Sequence, residues 1–400
     1  MITIHKPTIR TENGKSRLES SVSIDNFSGV LWFEVESKFG PYLCHERGDA
    51  FLVALLNYAM RNGHDITSEA PIGEDLYYRL STDLIPALAN NSKVLHLTKI
   101  TAAVDSSILP NAQAVGTGIS CGVDSLHAVA QESNPNFPRH KLTHLAFNNV
   151  GSHGAGERAQ KLFDERRALA KKFCEEYHYE YVEGNSNLQD FIPQSHFLSH
   201  TYSSIFSVLA LQKLYSVYYY ASSGHKYNSF SIKDSEKYDS GLYELLSLNC
   251  FSSHSLKIYS EGGEKNRFEK LQSVVKFEPS YKYLNVCVKQ FHNCGKCEKC
   301  VRTLVAIDAL NCLEKYKTVF DINYYKQNRS YYYTKLVVGT LEKNEMYEGV
   351  YPLLKNKISF VSNVRGGVNF CLRSIKKVLV SILPKPIKNL LKKFLKKRSP

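Results

Sequence analysis

Four cysteines within fourteen residues, Cys287, Cys294, Cys297 and Cys300, form the strongest chemical pattern in the chain. The other six cysteines are scattered singly. Two successive C-x2-C steps bring thiolates together, and four sulfur ligands suit a tetrahedral zinc ion in a closed, structural site. An iron–sulfur cluster and unliganded reduced thiols are the alternatives that the spacing leaves open. The pattern therefore predicts a structural Zn²⁺ site in a protein of a reducing compartment.

A second pattern, Ser120-Cys121-Gly122-Val123-Asp124-Ser125, combines small residues with two hydroxyls and a carboxylate. Small residues let backbone N–H groups approach an anion, and a following helix adds unpaired donors and a positive dipole end. Asp124 could hold Mg²⁺ or accept N–H bonds that fix the turn. No Gly-Lys-Ser/Thr follows, so this is not a Walker loop. The segment predicts a phosphate-binding loop, with a thiolate at Cys121 or an ordinary helix-capping turn as alternatives.

The elements that would position this loop alternate between strand and helix, which indicates a parallel sheet with helices on both faces. Apolar runs predict strands, and apolar residues recurring every three or four positions predict helices. The predicted strands are 114–119, 143–147, 180–183 and 216–221, and the predicted helices are 125–131, 155–177 and 200–215. Ligands of such sheets bind at the carboxyl ends of the strands. The loops after 119, 147 and 221 are therefore the expected binding loops.

Residues 1–108 have no comparable chemical signature. Their pattern predicts a strand at 29–35, a helix from Asp49 as N-cap to Gly63 as stop, a helix at 76–88 and a strand at 94–97. We interpret this part as a small α+β accessory domain.

The loop Ser120–Ser125 resembles the SGGxDS loop of the PP-loop ATP pyrophosphatases, which cleave ATP between the α and β phosphates. With the downstream cysteine motif and Arg302, residues 111–312 resemble 7-cyano-7-deazaguanine synthase-like proteins, and in particular those of bacterial surface polysaccharide loci. The resemblance implies a Rossmann-like fold of the adenine nucleotide alpha hydrolase kind, with ATP and Mg²⁺. Cys121 departs from the family, which has Gly there, and Cys would be strained if the position needs a positive φ.

The resemblance also implies a set of site residues. Asp124 and Ser125 would be catalytic, and His225 would follow the second small-residue turn. The ATP-binding set would be Ser120, Cys121, Gly122, Val123, Asp124, Ser125, Phe147, Asn148, Ser223, Gly224 and Arg267.

The net charge of +13 is confined to the end of the chain. Residues 349–400 contain thirteen Lys and Arg and no acidic residue, whereas residues 1–348 balance 38 basic against 38 acidic side chains. Ile387, Leu390, Leu391, Phe394 and Leu395 share one helical face with Lys and Arg residues beside it, and upstream Leu372, Ile375, Leu379 and Ile382 continue an apolar stripe. A basic amphipathic helix of this kind lies on an anionic membrane surface. A helix packed on the body and an RNA-binding arm are the alternatives.

The sequence thus predicts four segments: an N-terminal α+β domain (1–108), a PP-loop ATP-binding domain (109–285), a zinc knuckle with helices (286–345) and a basic tail (346–400). The expected function is adenylation of a carboxylate or amide oxygen by ATP, followed by attack of a nitrogen nucleophile, on a small-molecule or sugar-precursor substrate. Alternatives are a tRNA- or nucleobase-modifying enzyme and a non-catalytic nucleotide-binding module. A neutral body counts against nucleic acid. Without an export signal or a spanning segment, we expect a cytoplasmic protein, peripheral on the inner membrane face.

Overall fold

The computed structural model describes residues 1–132, 136–222, 225–233 and 239–382, and these form an α/β protein. The strands are β1 (Ile2–Ile4), β2 (Thr8–Glu12), β3 (Lys15–Ile24), β4 (Phe27–Glu36), β5 (Ile66–Ser68), β6 (Ile72–Gly73), β7 (Ile100–Thr101), β8 (Val104–Asp105), β9 (Ala114–Gly118), β10 (His144–Asn149), β11 (Glu180–Ser186), β12 (Tyr215–Ala221) and β13 (Lys257–Glu261).

The same ranges contain fifteen α-helices. They are α1 (Asp49–Asn62), α2 (Glu74–Arg79), α3 (Ile85–Asn91), α4 (Val123–Gln131), α5 (Gly156–Tyr177), α6 (Leu188–Phe191), α7 (His196–Ala210), α8 (Glu244–Phe251), α9 (Arg267–Val274), α10 (Ser280–Tyr283), α11 (Glu298–Ala309), α12 (Ile322–Gln327), α13 (Arg329–Leu341), α14 (Val350–Leu354) and α15 (Phe360–Ile382).

Eleven of these strands form one sheet in the order β13-β12-β9-β10-β11-β4-β3-β1-β5-β7, with β2 paired to β3. The strands from β13 to β11 are mutually parallel, which confirms the α/β alternation predicted for this region. β9 is buried at four of its five positions because helices cover both of its faces. β3, in the antiparallel part, buries alternate residues, as expected of a strand with one covered face. The parallel part is compatible with a Rossmann-like fold.

Helices form two layers on the parallel strands. α7 packs against α1 and α8, and α4 packs against α9. Alternation along β12 shows the two sides. Tyr218 and Tyr220 belong to the core made with α1 and α7, whereas the Tyr219 hydroxyl is hydrogen bonded to Glu132, the C-cap residue of α4. Side chains of successive strand residues point to opposite faces, so α4 and α7 lie on different sides of β12.

The N-terminal strands join this sheet rather than forming a sheet of their own. β4 pairs antiparallel with β11, so that Gly184 lies opposite Val35. A Cβ at Gly184 would overlap Oδ1 of Asn148 and lie 2.6 Å from the ring of Phe33. The absence of a side chain at Gly184 lets the antiparallel strands approach the parallel ones.

The structure divides into two compact units, Met1–Asn293 and Cys294–Pro400. The first contains the whole sheet, and the described part of the second contains α11 to α15. This division differs from the four predicted segments, because β4–β11 pairing links residues 1–108 to residues 109–285 in one sheet. No helix in the described part of the chain combines the length and the apolar character needed to cross a bilayer.

Three local predictions for residues 1–108 need correction. Gly48, not Asp49, is the N-cap of α1, because the buried Asp49 carboxylate accepts the N–H of Gly73 instead. The predicted helix 76–88 is three segments, with a π-helical turn at 80–84 between α2 and α3. Residues 94–97 form no strand, because the hydroxyl of Ser92 accepts the N–H groups of Val94 and Leu95 in a local turn.

We predict that Gly184→Ala lowers the free energy of unfolding by about 1–3 kcal/mol, the usual cost of overpacking a core. Gly118→Ala, in β9 of the same sheet, is the control, because its Cβ would meet only atoms 3.7 Å or farther away. Urea unfolding followed by circular dichroism measures both. Equal stability of the two variants would contradict the close approach at Gly184.

Candidate functional site

The segment Ser120–Ser125 connects β9 to α4, with Gly122 as the N-cap residue of the helix. The Ser120 N–H donates to Oγ of Ser125, the Gly122 N–H donates to Oγ of Ser120, and the Ser125 hydroxyl donates to the Gly122 carbonyl, at 3.2–3.3 Å. Both hydroxyls therefore close the turn. The first N–H groups of α4 have no carbonyl partner inside the helix. The loop can thus present backbone donors to an anion at a positive helix end.

Cys121 has a left-handed backbone, with φ of +56°, at the position where the resembled family has glycine. Its carbonyl accepts the N–H of Asn285 at 2.7 Å, which holds this conformation. The side chain is only 1% exposed, and burial raises the pKa of the thiol well above its usual value. Burial in an apolar site disfavours the thiolate, so the geometry does not support the alternative of a nucleophilic Cys121. Val123 is also buried, and only its backbone can face a ligand.

Two cationic side chains of α9 meet the carboxylate of Asp124. Nη1 of Arg267 donates to Oδ2 of Asp124 at 2.7 Å, and Nζ of Lys270 lies 3.6 Å from Oδ1. Lys270 is fully buried and also donates to the carbonyl of Ser222 at 2.8 Å. Burial lowers the pKa of the Lys270 ammonium, although the carboxylate of Asp124 opposes that shift. Sequence reasoning found Arg267 but missed Lys270, three residues later on the same helical face.

The loop after β9 and the loop after β12 flank the point where the strand order reverses. From β9 the chain adds β10 and then β11 on one side, and it returns to add β12 on the other side of β9. Helices following β9 and β12 lie on opposite sides, since α4 packs on α9 and α8 packs on α7. A crevice outside the carboxyl ends of the strands is expected at such a switch point. The ammonium of Lys270 contacts both sides of this switch point: it lies beside Asp124, after β9, and donates to the carbonyl of Ser222, after β12.

Two residues of the predicted ATP-binding set, Phe147 and Asn148, lie at the end of β10. Phe147 is buried and stacks on Phe163, with ring centroids 5.4 Å apart. Nδ2 of Asn148 donates to Oγ of Ser207 at 2.9 Å. Both side chains are thus used in packing, and backbone groups remain for a ligand. The predicted residues Ser223 and Gly224 lie outside the described residues.

A partly buried polar chain lies near the end of β12; sequence reasoning named its His225 but missed the other members. Nδ1 of His200 lies 2.5 Å from the hydroxyl of Tyr220, and its Nε2 is hydrogen bonded to Asp239. Nε2 of His225 lies 3.6 Å from the same carboxylate. Burial alone would raise the pKa of Asp239, but the interactions with His200 and His225 outweigh it and lower that pKa. Asp239 and His200 are far apart in sequence, and no local signal links them.

The four predicted metal ligands, Cys287, Cys294, Cys297 and Cys300, come together in the structure. Their sulfur atoms all lie within 4.8 Å of one another, and those of Cys294 and Cys300 are 4.0 Å apart. Sulfur atoms bound tetrahedrally at 2.3 Å from one zinc ion would be about 3.8 Å apart. An iron–sulfur cluster has several metal and sulfide atoms between its cysteine ligands, and it spreads them more widely. The spacing therefore fits a single tetrahedral ion.

The backbone around this cluster suits thiolates. The N–H of Cys297 donates to Sγ of Cys294 at 3.2 Å, and the N–H of Gln290 donates to Sγ of Cys287 at 3.4 Å. Gly295 has a φ of +67°, so the C-G-K-C turn needs the freedom of glycine there. Cys297 is the N-cap residue of α11, and Cys300 follows in its first turn. The positive end of a helix favours negative charge on these sulfurs.

The chain matches no family model, no curated protein and no solved structure with which it was compared.

We predict that Cys121→Gly changes the free energy of unfolding by less than about 1 kcal/mol, because relief of about 1–2 kcal/mol of left-handed strain offsets the lost packing. Cys174→Gly is the control: Cys174 is equally buried but lies in α5. There the same change adds about 1 kcal/mol of helix penalty to the lost packing. Chemical denaturation of both variants measures the difference, and a larger loss at Cys121 would contradict the strain.

Purified protein should contain about one zinc ion per chain, since the four thiolates form one closed site. Cys297→Ser should lose the metal and much of its solubility, because a structural ion contributes to folding. Cys312→Ser removes a cysteine outside the cluster and should keep the metal. Plasma mass spectrometry of the three proteins measures this. Iron in a coloured protein would identify a different metal, and no metal in any preparation would rule out the site.

Proposed function

We propose that the chain is a PP-loop ATP pyrophosphatase that cleaves ATP to AMP and pyrophosphate and adenylates a carboxylate or amide oxygen. A nitrogen nucleophile then attacks the activated group, as in the 7-cyano-7-deazaguanine synthase-like proteins that residues 111–312 resemble. The observation that carries the proposal is the loop Ser120–Ser125 at the switch point, with Cys121 in the left-handed conformation at the family's glycine position.

The charges around the loop support binding of a polyphosphate. Asp124, Arg267 and Lys270 together carry a net positive charge beside the N-terminus of α4. Backbone donors and fixed cations in a water-poor site stabilise phosphate charge that develops during cleavage. In our proposal, phosphate oxygens of ATP replace the Asp124 carboxylate as the partners of Arg267 and Lys270. The carboxylate can then bind Mg²⁺. Asp124 would thus position Arg267 and Lys270 before ATP binds.

The remaining features fit an enzyme with a small substrate. Residues 1–348 carry no net charge, which disfavours the extended phosphate contacts of a tRNA-modifying enzyme. The cysteine cluster has no open coordination position when all four sulfurs bind, so the proposed Zn²⁺ is structural rather than catalytic.

We predict that Lys270→Met weakens ATP binding by roughly ten- to a hundredfold, the usual worth of a hydrogen bond to a charged group. The chain should stay folded, because methionine has a similar length and Asp124 keeps its hydrogen bond to Arg267. Lys276→Met changes an exposed lysine just beyond α9 and should bind ATP normally. Calorimetric titration with ATP and Mg²⁺ measures both. Unchanged affinity in Lys270→Met would place ATP elsewhere.

The products of the reaction test its class. Protein incubated with ATP, Mg²⁺ and a small-molecule cell extract should form AMP and pyrophosphate, and Asp124→Asn, which keeps an oxygen acceptor for Arg267 and Lys270, should abolish this while the circular dichroism spectrum stays unchanged. Formation of ADP and phosphate would contradict adenylation. ATP binding without either product in any extract would favour the non-catalytic nucleotide-binding module.

A further inference from the structure

The long helix α15 exposes its apolar face instead of burying it. Exposed apolar side chains recur every three or four residues along the described part of the helix. They are Val361, Val364, Val368, Leu372 and Ile375, and each is 46–60% exposed. Because residues at this spacing share one side of a helix, they form a continuous stripe, here called the apolar stripe. Leu379 and Ile382 continue the same spacing in the sequence.

The opposite side of α15 packs on α13 through small and polar residues. Ser362 is 1% exposed, and its hydroxyl lies 3.0 Å from that of Ser330. A Cβ at Gly366 would lie 2.6 Å from Cβ of Val337, so the two helices touch closely there. Amphipathic helices of globular proteins normally bury the apolar side. α15 does the reverse, which leaves the apolar stripe facing away from the helix that holds it.

The basic residues beside the apolar stripe indicate what kind of surface would cover it. Arg365 and Lys376 follow the stripe along one edge, and both are exposed. All thirteen charged residues of 349–400 are basic. A second copy of this helix, or the chain's own basic end, would bring like charges together on contact. An anionic lipid surface would receive both the apolar side chains and the flanking cations.

We propose that α15 lies in the plane of an anionic bilayer surface, with the apolar stripe inserted between the lipids and α13 on the water side. The sequence suggested membrane binding by residues 387–395, which lie outside the described residues, with an apolar stripe upstream of them from Leu372 to Ile382. The structure shows that the exposed stripe begins earlier, at Val361, and faces away from α13. This proposal is independent of ATP binding.

The test uses the full chain and co-sedimentation with vesicles of phosphatidylglycerol and phosphatidylcholine. The double variant Val364→Ser/Leu372→Ser should bind at least about tenfold more weakly, since two inserted apolar side chains are lost. Leu341→Ser/Leu353→Ser removes two similarly exposed leucines outside α15 and should bind like the unmodified chain. Binding to pure phosphatidylcholine should be weak, and salt should weaken binding to the anionic vesicles.

A tryptophan probe separates insertion from simple charge attraction. In Leu372→Trp, brominated lipids should quench the added fluorescence, whereas in Leu353→Trp they should not. Vesicle binding unchanged by the serine pair, or an unquenched tryptophan in the Leu372→Trp variant, would overturn the proposal in favour of attraction by the basic end alone. A concentration-dependent dimer in analytical ultracentrifugation that is lost in Val364→Ser/Leu372→Ser would overturn it in favour of a second copy.

Discussion

The candidate site depends on the contacts of one buried group, the ammonium of Lys270. An unpaired charge in such a place would be strongly unfavourable, so its partners must stay in position. Those partners are Asp124, after β9, and the carbonyl of Ser222, after β12. One side chain therefore fixes the two loops on either side of the switch point relative to each other. Arg267, one turn earlier on α9, reinforces the same carboxylate.

The position of α9 follows from this arrangement. Its N-cap Asn266 forms a capping box with Glu269, so the helix begins at a defined residue and presents Arg267 and Lys270 on one side. α9 packs on α4, and this packing brings its two cationic side chains to the first turn of α4, where Asp124 lies. Local capping and tertiary packing thus act together to place two cations beside one carboxylate.

The candidate metal site is formed by one short segment of the chain, whereas the strained backbone at Cys121 depends on a distant residue. The cysteine cluster is local: a fourteen-residue segment supplies all four sulfurs, one glycine turn and two N–H···S bonds. The strain at Cys121 is not local, because its left-handed conformation is held by Asn285, more than 160 residues away. A side chain other than glycine can persist there only because the surrounding structure fixes it. The orientation of α15 also depends on tertiary structure, because its contact with α13, and not its own apolar pattern, determines which side of the helix is buried.

The sequence by itself determined the parallel α/β alternation, the phosphate-loop candidate and the four candidate metal ligands. Each depends on contacts within a few turns or on the hydrophobic period of one element. Tertiary structure decided that residues 1–108 share the sheet, because a glycine at position 184 lets β4 approach β11. It also decided that Lys270 is buried beside Asp124, that Asp239 lies beside His200 and His225, and that the apolar side of α15 faces outward. These outcomes depend on pairings between residues distant in the chain, and no local periodicity or propensity encodes such pairings.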